Sequence, residues 1–176
     1  MMLPTAHRYQ LYCLFSLIGL LFLSNSYGQT PASYPAYVGD IAFDSTQDHR
    51  ENNPCFDWRV FQYFNDGNGM EFEGEKPAIE RSFAAQYKSP LLEGETGLVR
   101  IRFLVNCKGQ TDRFRIIAMD ENYQEKTFAI SITDQLLAIT QSLKGWKIKK
   151  IRGFAVDYYQ YLIFKLENGQ LKEILP

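Results

Sequence analysis

The sequence predicts an α+β domain: a small antiparallel sheet with two helices packed on one face, preceded by an N-terminal extension. Three observations predict it. Residues 97–118 alternate apolar and polar through Val99, Ile101, Phe103 and Val105, turn at Asn106-Cys107-Lys108-Gly109, and alternate again through Phe114, Ile116 and Ala118. Period-two patterning on both sides of a Gly-containing turn marks a hairpin with one buried face. Residues 131–143 then carry Ile132, Leu136, Ile139 and Leu143 at helical spacing. Finally, Asn168-Gly169 is the dipeptide that two-residue hairpin turns favour, because both positions need a positive φ.

The elements follow in order. Residues 1–28 read as an export signal: Arg8 precedes an apolar run at 11–23, and Ser26-Tyr27-Gly28 supplies small residues before Gln29. An uncleaved anchor is the alternative, but the run is shorter than the roughly 20 residues that a bilayer requires. Pro31 and Pro35 make residues 29–39 an extended leader; residues 40–44 fit a short strand and 45–53 a polar loop. Asn53-Pro54 suits a cap and first turn, and Phe56, Val60 and Phe64 then recur at helical spacing, with a strand as the rival reading. Residues 65–69, Asn-Asp-Gly-Asn-Gly, are a tight turn.

A first helix is expected at 77–88, where Ile79, Phe83 and Tyr87 are four apart and Ser89-Pro90 stops the pattern. Strands at 98–106 and 111–119 follow. The second helix, 131–143, opens on a Ser131/Asp134 capping box and ends before Gly145. A long strand at 154–166 and a last strand at 170–175 complete the sheet. The organisation is a signal at 1–28, an extension at 29–70 and a domain at 71–176.

Helix, strand, strand, helix and strand in this order resemble the TonB C-terminal domain. The resemblance is carried by Phe72-Glu73-Gly74-Glu75 with Ala78-Ile79, by Gly97 to Phe103, by the turn at Asn106 to Gly109, and by Trp146, Gly153 and Phe164-Lys165-Leu166. It covers residues 72–166. It implies a non-catalytic binding module of the Gram-negative envelope, linked to TonB-dependent transport, whose third strand is an edge that takes up a receptor peptide. Here that segment is Asp157, Tyr159, Tyr161, Ile163 and Lys165, although the Asn168-Gly169 hairpin brings the final strand against the same edge. The chain departs from a transducer in its short leader, in Glu75 where the family has a second glycine, and in the added residues 34–70. A stand-alone periplasmic or outer-membrane-associated relative is therefore expected, with an envelope protein or receptor peptide as its partner.

Composition narrows the alternatives. With 19 Lys and Arg against 20 Asp and Glu, the formal charge is −1, so no global field draws the chain to nucleic acid. No later segment is apolar enough to span a membrane, and no cofactor motif is present. Cys55 and Cys107 are a disulfide candidate in an oxidising compartment, worth about 4 kcal/mol in the chain-entropy model. The alternative is two buried thiols that never meet.

On the outer face of the hairpin, Arg100 and Arg102 alternate with Arg113 and Arg115, and Tyr159 and Tyr161 share their parity. Such a face suits an anionic glycan or lipid, which is the second functional reading. It equally suits arginines paired with Asp112, Asp157 and nearby acids. Enzymatic readings find little: His49 stands alone after the signal, so neither a His-based triad nor a metal site can be assembled, and Asp66 and Asn68 belong to a turn rather than a calcium loop. The carboxylate pairs Glu73/Glu75 and Asp120/Glu121 would need to converge in a cleft to act on a glycan.

Overall fold

The computed structural model describes residues 39–56, 59–62 and 70–175. The expectations for the signal, the leader up to residue 38, the turn at 65–69 and the Asp66/Asn68 pair lie outside the described residues. Helix α1 is Glu75–Gln86 and α2 is Ile130–Ser142; the strands are β1 Gly97–Val105, β2 Thr111–Met119, β3 Lys150–Ile151, β4 Phe154–Ala155, β5 Tyr158–Glu167 and β6 Gln170–Leu175. The α+β class stands. A four-stranded antiparallel sheet runs in the order β2-β1-β5-β6, and β3 and β4 form a separate two-stranded ribbon.

The sheet is organised by its middle pair. β1 and β5 are antiparallel over nine residues without a register shift, from Gly97↔Leu166 to Val105↔Tyr158. Because side chains alternate across a strand, this register turns Val99, Ile101 and Phe103 with Leu162 and Phe164 to one face. Both helices cover that face. Ile79 and Phe83 of α1, Ile132, Leu136 and Ile139 of α2, and Trp146 join the same sheet residues in one buried cluster. Phe83 lies 4.8 Å from Phe164, and Trp146 sits edge-on to both Phe72, at 4.8 Å, and Phe103, at 5.0 Å.

Several boundaries differ from the sequence reading, each for a local reason. Residues 154–166 do not form one strand. Arg152 and Gly153 both adopt positive φ, 52° and 84°, and close the β3–β4 ribbon, so the sheet strand restarts at Tyr158. The Ser131/Asp134 capping box does not form: α2 begins one residue earlier, after Ala129, with no side-chain cap. The Glu95 carboxylate instead accepts the Ala129 N–H at 3.3 Å, placing a negative charge at the helix start. The helix expected from Asn53 is absent among the described residues. Phe61 there is extended and forms a parallel bridge with Tyr158, and residues 40–44 form no strand.

The turns behave as their residues require. Asn168 and Gly169 take φ of 48° and 75°, closing β5 onto β6. In the β1–β2 turn, the buried Asn106 accepts the Lys108 and Gln110 N–H groups on Oδ1, each at 3.0 Å. Gly109 has φ of 76°, and a Cβ there would stand 2.8 Å from the Trp146 carbonyl oxygen. Gly109→Ala should therefore strain both the turn and the Trp146 seat.

Leu136 is fully buried at the centre of the α2 seam. Leu136→Ala should lower the unfolding free energy in urea by about 2–5 kcal/mol with an unchanged m-value. A loss below about 1 kcal/mol would mean that α2 does not seal this face.

Candidate functional site

The face opposite the helices is built by the other half of the same alternation. Arg100, Arg102 and Leu104 of β1 stand beside Ile163, Tyr161 and Tyr159 of β5, with Ile117, Arg115 and Asp112 of β2 on the far side. Residues 39–56 and 59–62 lie across the part of this face that carries Arg102, Leu104 and Tyr159. Ile41 packs with Leu104 and Tyr159 in a second small cluster, against which Val60 rests. The Tyr159 hydroxyl accepts the Ile41 N–H at 2.9 Å.

Three of the four outer-face arginines hold that extension. Arg102 is 2% exposed, lies 4.3 Å over the Tyr159 ring, and donates to the Gly39 carbonyl at 2.6 Å and to Gln62 Oε1 at 2.8 Å. Burial lowers its pKa, and the neighbouring Arg100 charge adds to that push. Arg113 donates to the Ile41 carbonyl at 2.9 Å, made possible by a bulge at which Arg113 takes φ of 55°. Arg115 forks onto the Asp48 carboxylate at 2.9 and 2.7 Å and also reaches the Ala42 carbonyl. Arg100 stacks at 4.3 Å over Tyr161. Three arginines of the anionic-ligand face read from the sequence are thus engaged by the chain itself, and of the acids near them it is Asp48, rather than Asp112 or Asp157, that takes a guanidinium. Asp48 pairs with Arg115, whereas Asp112 accepts the His49 N–H and Asp157 accepts none of the four.

Asp157 has a different task. It is fully buried, and its two carboxylate oxygens accept the Cys107 N–H at 2.7 Å and the Phe56 N–H at 3.0 Å. Its own carbonyl accepts the Phe61 N–H at 2.9 Å, and the Tyr159 N–H returns to the Phe61 carbonyl at 2.7 Å. Beside it, Cys55 and Cys107 are joined in a disulfide, with Cα atoms 6.0 Å apart. The two sulfurs and an Asp157 oxygen lie within 4.8 Å of one another. With the sulfurs bonded to each other and the carboxylate engaged by two backbone donors, this cluster ties the extension, the β1–β2 turn and β5 together.

The edge read from the sequence at Asp157, Tyr159, Tyr161, Ile163 and Lys165 lies inside the sheet. β6 pairs with Ile163 to Glu167, and Phe61 occupies the Asp157–Tyr159 stretch. One strand further out, no described strand pairs with the outer edge of β6. Phe164 directs its backbone groups to β1, so Ile174 opposite it turns its N–H and C=O away from β5. Between that edge and α1 runs a groove of about 500 Å³ with Phe83, Ala84, Tyr87, Leu171 and Ile174 along it. The Tyr87 hydroxyl donates to the Gly169 carbonyl at 2.7 Å, fixing the upper end, and burial raises its pKa to about 12.

The acidic pairs do not share a cleft. Glu73 is anchored through its N–H to Gly145 at the Trp146 end of the sheet, while Asp120 follows Met119, opposite Leu98 at the other end. No helix among the described residues is long and apolar enough to cross a membrane.

The Arg115–Asp48 fork makes stability pH-dependent. Burial alone would raise the Asp48 carboxyl, but the Arg115 bonds and the Asp44 N–H outweigh it and hold its pKa below the ordinary 3.8. A carboxyl depressed on folding stabilises fully above its unfolded value, and that gain disappears as pH falls below 3.8 toward the folded value. Urea titrations from pH 6 downward should show this acid loss, and Asp48→Asn should flatten it. Arg115→Ala, which strands Asp48, should lower stability by about 3 kcal/mol at pH 7. An equal acid slope in the wild type and Asp48→Asn would remove the fork from the account.

No family model, no curated protein and no solved structure matches the chain.

Proposed function

We propose that this chain is a non-catalytic protein-binding module of the Gram-negative cell envelope, of the kind its sequence resembles in the TonB C-terminal domain. In this reading it takes an extended peptide of an envelope protein along the outer edge of β6. The observation that carries the reading is the open edge beside an apolar groove. Strand addition needs unpaired main-chain groups for affinity and side-chain pockets for selection, and Ile174 with the α1 groove supplies both. Phe83 and Ile174 form the groove floor, while Lys172 and Glu173 stand at its rim to fix the register of a charged peptide.

Three further features support the envelope assignment. The N-terminal residues read as an export signal, the disulfide suits an oxidising compartment, and the helix–strand order matches the resemblance. A link to TonB-dependent transport rests on the resemblance alone. The second reading, an anionic glycan or lipid on the arginine face, would require residues 39–56 and 59–62 to leave, since Arg102, Arg113 and Arg115 are engaged by them.

The test is a titration of peptides from the periplasm-facing segments of outer-membrane receptors, followed by amide chemical shifts. Binding should move the Lys172, Ile174 and Leu175 amides together with Ala84. Ala84→Arg, an exposed helix substitution that fills the groove, should weaken binding at least about tenfold without loss of fold. Peptides that leave β6 unmoved, or that bind Ala84→Arg equally well, would contradict the assignment. Shifts at Ile41, Arg102, Arg113 and Arg115 on adding anionic vesicles, with β6 unmoved, would favour the second reading.

A further inference from the structure

The extension is attached to the sheet in an unequal way. Its apolar contribution is small and split: Ile41 and the half-buried Val60 pack with Leu104 and Tyr159 in a cluster separate from the main core, and at the far end the partly buried Phe61 rests against the main core. Between these ends the extension is held by three guanidinium groups, which donate to the Gly39, Ile41 and Ala42 carbonyls and to Asp48, with Arg113 also 5.9 Å over the Phe43 ring. Segments with few buried apolar contacts are the ones that open locally, well below the cost of global unfolding. At the far end, however, the extension is fastened twice within one small volume. Asp157 accepts the Phe56 N–H, and the Cys55–Cys107 bond lies against it. Neither cysteine is buried, so the bond is not sealed inside the core.

The placement of Phe61 gives this fastening a consequence. Its exchange of two main-chain hydrogen bonds with Asp157 and Tyr159 is strand addition performed by the chain on itself. β6 covers β5 only from Ile163 onward. Among the described residues, the stretch from Asp157 to Tyr159 is therefore closed by the extension.

We propose that the extension, through its residues 39–56 and 59–62, is a redox-locked strap. With the Cys55–Cys107 bond intact it fills the lower outer face and the Asp157–Tyr159 edge of β5. When a dithiol reduces the bond, the strap opens as a unit while the helix-covered core stays folded. The exchange is balanced. One thiolate of the dithiol attacks a bridge sulfur, the S–S bond breaks, and the departing cysteine thiolate takes up a proton. The second thiol of the reductant then displaces the other cysteine, which is also protonated. Two electrons have passed to the bridge, and the dithiol leaves as a disulfide. What opening uncovers is main-chain donors and acceptors on β5 next to Arg102, Arg113 and Arg115, a surface chemically distinct from the β6 groove. The inference does not depend on the peptide reading of that groove.

Native-state hydrogen exchange on the purified chain tests it, oxidised and in excess dithiothreitol. Four strap amides report: Ile41, His49, Phe56 and Phe61, each bonded to the sheet side of the molecule. Reduction should speed their exchange together, by about tenfold or more, while the Val99, Ile101 and Phe103 amides of β1 keep their rates. The Cys55→Ser/Cys107→Ser variant should match the reduced wild type without reductant. If that variant fails to fold, reduction of the wild type followed by alkylation of the two thiols carries the same comparison. Unchanged strap rates on reduction would overturn the proposal, because the non-covalent contacts would then suffice. So would β1 amides accelerating in step with the strap, because the bond would then be a staple of the whole fold.

Discussion

The pairing of β1 with β5 is the constraint on which the rest of the molecule depends. Nine consecutive residue pairs without a bulge give each face of the sheet a fixed set of side chains, and the two sets have opposite chemistry. Toward the helices the set is Val99, Ile101, Phe103, Leu162 and Phe164, which must be shielded from water. On the other side it includes Arg102, Leu104, Tyr159 and Tyr161, a set that is neither apolar enough for a core nor polar enough to be left bare. A slip of one residue would exchange the faces and bury the guanidinium groups under α2. The outer set explains why this sheet carries a third layer. Arg102, Leu104 and Tyr159 are almost wholly buried, with the extension lying against them.

This arrangement also separates two kinds of stabilisation. The helix side relies on area: large side chains such as Phe83, Leu136 and Trp146 removed from water in one cluster. The strap side relies on directed bonds, in which guanidinium groups meet carbonyl oxygens and one carboxylate, together with a covalent closure. Directed bonds contribute less net free energy per contact, because each replaces a bond to water. The strap side is therefore the part of the molecule most able to change state. The outward main-chain groups of β6 at Ile174, by contrast, point away from β5, and no described strand pairs with them.

How much of this was legible in the sequence depends on the range of the interaction. The hairpin, both helices, the Asn168-Gly169 turn and the covering of β5 by β6 follow from periodicity and turn chemistry, which are local. The break in the 154–166 segment was missed because Val156 and Asp157 continue an apolar-polar rhythm. Only the positive φ at Arg152 and Gly153 reveals the ribbon, and Gly153 was the one available signal. Phe56, Val60 and Phe64 have helical spacing, yet the Phe56 N–H is taken by Asp157 and Phe61 bridges to Tyr158 as a strand residue would. The arginine partners were illegible in principle. The Gly39, Ile41 and Ala42 carbonyls belong to the backbone and leave no mark in the residue pattern. Asp48 was one acid among several in a polar loop, and nothing local distinguished it from Asp112 or Asp157.

The most direct measurement of the central claim is a set of long-range proton contacts by nuclear Overhauser spectroscopy on the oxidised protein. Two networks that do not mix are expected. Methyls of Ile132 and Leu136 should contact Val99, Phe103 and Phe164, while the Ile41 methyls should contact Leu104 and the Tyr159 ring. Contacts from Ile41 to the Val99–Phe103 side, or no contact from Ile41 to the sheet at all, would contradict the two-faced, three-layer arrangement.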